Sequence, residues 1–272
     1  MKFSIITINY NNLEGLKKTA DSIIGQTCRN FEWIIIDGGS TDGSREYIIN
    51  LNDNFDQNGW NPISYWCSKP DKGIYNAMNK GISHANGDYL NFMNSGDAFF
   101  ENKTLESVWA FVNKREADVY YGDCQLESLG KCKEIRKYHS PLDIYDLYYD
   151  KLCHQTLFIR SGILKEKGYD ESYRLAADHA RNVEMMFEGR KFEYTSLLVA
   201  IYDNTGISSI ANSGTGKEFD RINKNYFPDY VNNALGRLYL YENGHHYKRL
   251  RTIIEKRGFS SFFLRLMLRF LS

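Results

Sequence analysis

The feature that most limits how this chain can fold is the alternation of short apolar runs with amphipathic stretches between Phe3 and Met93. Phe3 to Ile8, Phe31 to Ile36, Ile63 to Cys67 and Asp88 to Met93 are rich in β-branched and aromatic residues and read as buried strands. Helices fit between them. Asn11 or Asn12 caps one that reaches about Gly25, with Leu13, Leu16, Ala20, Ile23 and Ile24 on one face. Ser40 and Thr41 cap a second, which runs through about Leu51, and Lys72 to His84 forms a third, closed by Gly87. This order predicts an α/β fold of the Rossmann-like kind: a mostly parallel sheet with helices on both faces and ligands at the carboxyl ends of its strands.

The second half is less regular. Ala117 to Gln125, Leu152 to Ile159 and Phe192 to Tyr202 read as strands, and Ala176 to Glu188 as a helix. From about Gly216 the pattern is helical and increasingly basic. The expected organisation is one domain over 1–212, with halves 1–100 and 101–212 sharing a sheet, and a helical extension over 213–272.

Composition excludes several classes. Lysine and arginine number 34 against 34 acidic residues, which gives no electrostatic reason to expect nucleic acid. The five cysteines are scattered with no CxxC, so reduced thiols in a cytoplasmic protein fit better than a disulfide framework or a zinc site. The start, MKFSIITINYNN, is too broken by Ser4, Thr7 and Asn9 for a signal peptide, and no run of about 18 apolar residues spans a membrane. A Gly-Lys-Ser/Thr phosphate loop and a GxGxxG after the first strand are both missing, which removes the key parts of ATPase and dehydrogenase readings.

Chemistry concentrates at the strand ends. Thr7, Asn9 and Tyr10 follow the first strand, Asp37 the second, and Asn94, Ser95, Gly96 and Asp97 the fourth. Converging carboxylates and amides bind a base, a ribose and a divalent cation carrying phosphates, and hard oxygen ligands suit Mg2+ or Mn2+. Each has a plainer alternative: Asp42 reads as a helix cap, and Asn94 to Asp97 taken alone as an Asx-type turn. Lys72, in Asp71-Lys72-Gly73, is either a point cation for phosphate or a solvated helix start, and Lys80 a surface residue.

Five stretches then combine: SIITINYNN (4–12), QTCRNFEWIIIDGGSTDGS (26–44), KPDKGIYNAMNKGISHANGDYLNFMNSGD (69–97), HQTLFIR (154–160) and AADHARNVEMMFEG (176–189). In this order the chain resembles a family 2 glycosyltransferase with the GT-A fold, over roughly residues 1 to 205. The resemblance implies an inverting hexosyltransferase that takes its sugar from a nucleotide donor, UDP in the first instance. Thr7, Tyr10 and Asp37 would then grip the nucleoside, and Asn94 to Asp97 the metal and diphosphate, with Asp97 as the metal ligand. Asp178 would deprotonate the acceptor hydroxyl; its alternative is a first-turn acid held by the helix dipole, and both roles are compatible. His154 and Gln155 are expected to line the acceptor side, a hydrogen-bonded core histidine being the alternative, and His179 faces either way. Gly38 and Gly96 stand where many relatives carry acids, which bears on metal use. The resemblance further implies bacterial surface-polysaccharide assembly on a lipid-linked glycan acceptor.

The C-terminal GFSSFFLRLMLRFLS (258–272) predicts an interfacial helix at the inner face of the cell membrane. At about 100° per residue Gly258, Ser261, Arg265, Arg269 and Ser272 share a narrow stripe, and apolar residues fill the rest. The cations Lys248, Arg249, Arg251, Lys256 and Arg257 upstream suit anionic headgroups. Docking in the protein's own core or in a homodimer interface is the alternative. Rival functions are a catalytically silent sugar-nucleotide-binding or membrane-scaffolding protein and a nucleotidyltransferase. The latter would need a glycine-rich basic loop where Tyr10-Asn11-Asn12-Leu13-Glu14 stands.

Overall fold

In the computed structural model, which describes residues 1–57, 60–149, 151–205 and 214–243, the alternating segments become β1 (Phe3–Asn9), α1 (Leu13–Ile24), β2 (Phe31–Asp37), α2 (Ser44–Gln57), β3 (Ile63–Ser68), α3 (Ile74–His84) and β4 (Tyr89–Phe92). There follow β5 (Ala98–Phe99), α4 (Thr104–Val112), β6 (Val119–Ser128), β7 (Lys131–Arg136), α5 (Ile144–Tyr149), a 3-10 turn (His154–Thr156), β8 (Phe158–Arg160), α6 (Ser161–Glu166), α7 (Ala177–Phe187) and β9 (Phe192–Asp203). The chain divides into two units, Met1–Phe219 and Asp220–Ser272. Helices α8 (Thr215–Tyr226) and α9 (Asp229–Asn243) are the described elements beyond β9. The expected boundary at 212/213 and the amphipathic 258–272 segment lie outside the described residues.

The strands form one sheet in the order β3-β2-β1-β4-β8-β6-β9-β5, with β7 paired to β6. Strands β1 to β4 pair parallel with one another, as do β6 and β9. Strand β8 enters antiparallel between β4 and β6, and β5 and β7 are antiparallel additions. The sheet therefore runs continuously from the first half of the chain into the second.

Both faces of β1 and β2 are covered, which is why these strands are apolar throughout. Phe3, Ile5, Trp33 and Ile35 share a core with Leu16, Ala20 and Ile23 of α1. On the other face α3 packs against β1 and β2 so closely that a Cβ on Gly81 would stand 2.4 Å from Ile6 Cγ2. At the amino ends Glu32, 3% exposed, takes Ser4 Oγ at 2.6 Å, Lys2 Nζ at 3.1 Å and the Gly87 N–H at 3.1 Å. Burial raises its proton affinity, but these donors outweigh it and hold the carboxyl below its usual range.

Several local expectations change. Helix α2 begins at Ser44, after Ser40 and Thr41, because Asp42 Oδ1 takes the Ser44 N–H at 3.1 Å and Ser44 Oγ at 2.6 Å. Oδ2 of Asp42 meanwhile takes the N–H of Leu13, the first residue of α1, at 2.8 Å, so one acid serves two helix starts. The segment 152–159 is only partly strand: its first half is the 3-10 turn, and β8 starts at Phe158. Strand β6 runs on past Gln125 into a hairpin whose turn, Leu129-Gly130, has φ of 51° and 72°. Two consecutive positive φ values match the twist that a tight hairpin requires.

Candidate active site

The sheet order reverses at β1: β2 and β3 lie to one side and β4 to the other, which opens a crevice at the carboxyl ends. Register fixes what lines it. Asn9 pairs with Asp37 and Asp37 with Ser68, so three polar side chains end adjacent parallel strands in one row. Asn9 Nδ2 donates to Asp37 Oδ1 at 2.8 Å and Ser40 Oγ to the same oxygen at 2.5 Å. Ser68 Oγ at 2.6 Å and the Ser40 N–H at 3.0 Å serve Oδ2. Burial opposes the charge on Asp37, yet these donors keep its carboxyl below the usual range. Tyr10 stands beside this row, 68% exposed, its ring edge 3.1 Å from where a Cβ on Gly38 would be.

Thr7 does not reach the crevice. It is fully buried, donates to the Met93 carbonyl at 2.8 Å and accepts from Trp33 Nε1 at 2.9 Å, so its hydroxyl is spent inside the core.

Past β4 the loop Asn94–Asp97 lies over the start of α1. Ser95 Oγ donates to Asn9 Oδ1 at 2.7 Å, and Asn12 Nδ2 to the Ser95 carbonyl at 3.1 Å. Gly96 has φ +105°, and a Cβ there would meet Asp203 Oδ2 at 3.3 Å and Asn12 Nδ2 at 3.5 Å. The Asp203 carboxylate thus borders the space that a side chain at 96 would enter. Asp97, 5% exposed, takes Gln155 Nε2 on Oδ2 at 2.8 Å and the Asp203 N–H on Oδ1 at 2.9 Å. Burial is the main reason its proton affinity is pushed up to about 6, and the neighbouring Asp203 adds to it.

For a divalent cation the oxygen donors here are Asp97, Asp203 and Asn94 Oδ1, which is buried without a hydrogen-bond partner. Among the described residues no group of three or more His, Cys, Asp or Glu side chains is poised for a metal. Mg2+ and Mn2+ need only one or two carboxylates when phosphates and water complete the shell. The donor set therefore fits a cation that arrives with a diphosphate and does not fit a cage made by protein alone.

Asp178 sits in the first turn of α7, where the helix dipole favours a negative charge. It is not the cap, which is Ala176. Its Oδ1 accepts from Tyr75 Oη at 2.7 Å, and its Oδ2 faces His154 Nδ1 at 3.2 Å. Its side chain is 14% exposed. Burial works against ionisation, but the His154 contact, the Tyr75 hydroxyl and the Lys151 charge hold the carboxyl far below its ordinary range. His154 shifts the other way: burial lowers its proton affinity, and Asp178 more than restores it. The far nitrogen of this ring, Nε2, lies 2.9 Å from Asn94 Nδ2.

The structure links Asn9, Asp37, Asn94, Ser95, Asp97, His154, Gln155 and Asp178 into one region by hydrogen bonds and short loop segments, with the Tyr10 ring beside it at Gly38. His179 turns away from it. Its ring stacks on Phe219 at 4.4 Å, both nitrogens are buried without a partner, and burial lowers its proton affinity to about 4. One residue along a helix is a rotation of about 100°, enough to send neighbours to different surroundings. Lys72 is exposed and carries no ion pair among the described residues, whereas Lys80 is more than a surface residue: it pairs with Asp71 and reaches the Pro70 carbonyl at 3.3 Å. Tyr75 and Asp203 were not foreseen. Tyr75 occupies an apolar-face position of α3, and only the fold carries it to an acid 103 residues away.

Similarity to known proteins gives the family. The model of "Glycosyl transferase family 2" matches residues 4–166, more than half of the chain. A "PGL/p-HBAD biosynthesis glycosyltransferase" of Mycobacterium bovis (strain BCG / Pasteur 1173P2) is 33% identical over 222 residues, which are 80% of this chain and 82% of that one. An uncharacterized glycosyltransferase of Mycobacterium tuberculosis is 34% identical over 185 residues, 64% of this chain and 65% of that one. Among solved structures, S. aureus TarS 1–349 in complex with UDP superposes with a TM-score of 0.60 at 17% identity, covering 82% of this chain and 64% of that one. The mannosyltransferase PcManGT from Pyrobaculum calidifontis, in complex with GDP-Man and Mn2+, gives 0.57 at 14% identity, over 74% and 56%. This chain thus spans less than two thirds of those solved chains, and the likeness to them is one of fold. The chain belongs to glycosyl transferase family 2 and is a glycosyltransferase with the GT-A fold.

Proposed function

We propose that the protein moves a hexose from a UDP-sugar to an acceptor hydroxyl by one direct displacement, with inversion at the anomeric carbon. The observation that carries this reading is Asp178: a carboxylate kept ionised by Tyr75 and His154 and linked through His154 to the donor loop at Asn94. Each carboxylate oxygen has one protein donor and a second lone pair, so an acceptor hydroxyl still finds a site on it. As the acceptor oxygen attacks the anomeric carbon, its proton passes to Asp178 and the bond from that carbon to the diphosphate oxygen breaks. Asn9, Tyr10, Asp37 and Ser95 frame the nucleoside side of the crevice, and Lys72 supplies a free cation for phosphate. Thr7 serves them only from beneath, through the core. Asp97, with Asp203 and Asn94, would hold Mg2+ or Mn2+, which when bound neutralises charge on the departing diphosphate.

UDP is favoured because TarS has been solved with UDP and with UDP-GlcNAc, while PcManGT with GDP-Man and Mn2+ supports the wider donor class and the cation. The acceptor in this reading is a glycan, in the first instance a lipid-linked one, as the family resemblance implies. Among the described residues no helix is long and apolar enough to cross a membrane; the amphipathic sequence 258–272 would provide the contact with a membrane that carries such an acceptor. The test is a panel of UDP-, GDP- and dTDP-sugars, read by thermal stabilisation and by donor hydrolysis. Turnover confined to UDP-sugars, giving an inverted product, is expected. Turnover of another nucleotide class, or retention of configuration, would overturn the donor or the mechanism respectively.

A further inference from the structure

The 3-10 turn His154–Thr156 touches both chemical parts of the cleft, and it is anchored before it does so. Asn91, in the middle of β4 and fully buried, donates its amide hydrogens to the Gln155 and Leu157 carbonyls, each at 2.9 Å. A polar side chain at a buried strand position is costly unless it is paired in this way. Asn91 therefore fixes the turn to the strand that ends in the donor loop. From the turn, Gln155 reaches Asp97 at 2.8 Å, and His154 reaches Asn94 and Asp178 with its two ring nitrogens.

We infer that His154 is a positioning residue that couples the base to the donor loop, and not an acceptor contact: its Nδ1 orients Asp178 Oδ2 while its Nε2 engages Asn94. The inference rests on the reading of Asp178 as the base. One rigid ring spans the two groups, so a shift of the donor loop on nucleotide binding is transmitted to the carboxylate.

Two isosteric substitutions separate the contacts. In His154→Asn the amide nitrogen stands near Nδ1, so the Asp178 bond is kept and the Asn94 bond lost; in His154→Gln the amide reaches towards Nε2 and the reverse holds. UDP affinity with Mn2+, measured by calorimetry, should fall more in His154→Asn, by roughly 3–10-fold, as expected for one lost hydrogen bond. The rate at saturating donor should fall more in His154→Gln, by roughly 10–100-fold, because the base is then unoriented. Acceptor KM should move little in either. Equal losses in both variants, or losses confined to acceptor KM, would overturn the coupling. A third measurement does not depend on transfer: in 15N NMR of the unliganded protein at one fixed pH, the His154 Nδ1 resonance should show a hydrogen-bond shift that Asp178→Asn changes. An unchanged Nδ1 resonance would refute the His154–Asp178 contact itself, whatever the outcome for the proposed reaction.

Discussion

Two carboxylates of the cleft, Asp97 and Asp178, are both taken largely out of water, yet their proton affinities move in opposite directions. Asp97 receives neutral donors, an amide from Gln155 and a backbone N–H from Asp203, and it feels the His154 charge only through space and against the like charge of Asp203. Asp178 receives a phenol and an imidazole and feels Lys151 as well. Burial penalises both anions, so the sign of the result is decided by how directly positive charge reaches each one and by whether a like charge opposes it. Around Asp178 the protein supplies that charge itself, as suits a group that must be ionised to take a proton. Around Asp97 the His154 charge acts only through space and Asp203 opposes it, so burial wins, and a divalent cation would bring positive charge into direct contact with this carboxylate.

The comparison can be broken from either side. Tyr75→Phe removes the hydroxyl donor of Asp178 while keeping the ring that packs near Tyr169. The transfer rate should fall by about 1.5–3 kcal/mol, the scale of a hydrogen bond to a charged group, with UDP affinity unchanged by calorimetry. Gln155→Ala strips Asp97 of its side-chain donor and should lower unfolding stability by about 1–3 kcal/mol in denaturant titrations.

The smallest effect is in the pH dependence of stability. Asp178 is depressed from 3.8, so its contribution is present above that value and lost as pH falls through the folded one. His154 is raised from 6.5, so its contribution is present below that value and lost as pH rises through the folded one. The stability gap between wild type and Asp178→Asn should therefore be widest between about pH 4 and 6.5 and should narrow towards pH 9. A gap that widened steadily with pH would mean that His154 is not the partner.

How much of this was legible in the sequence differs between the same two sides of the cleft. The strand ends Asn9, Asp37 and Asn94 were readable because parallel strands buried on both faces are continuous apolar runs, and polarity marks where each one stops. Thr7 carried the same polarity for a different reason, as the partner of Trp33 in the core. Around Asp178 the partners are non-local: Tyr75 looks like any core aromatic on α3, and the 3-10 turn is anchored by Asn91 through the Gln155 and Leu157 carbonyls, which no local pattern announces. Strand β7, KCKEIR, is exposed along nearly its whole length, so it lacks the apolar run that exposed the other strands. Helix α4 and the two-residue β5 went unseen as well, and β5 is defined only by its pairing with β9. Gly96 read as a lost acid, whereas in the fold an acid from the end of β9, Asp203, stands beside it.

The division of labour between the two carboxylates is tested most directly by crossing two variants with two readouts. Asp97→Ala and Asp178→Asn would each be measured for manganese-dependent UDP affinity by calorimetry and for single-turnover transfer at saturating donor. Asp97→Ala should weaken UDP binding by about 1–3 kcal/mol. Asp178→Asn should leave that affinity intact and slow transfer by about 10²–10⁴-fold, the range for losing a general base. Transfer by Asp178→Asn at the wild-type rate, or UDP affinity of Asp97→Ala equal to wild type with and without manganese, would contradict the account.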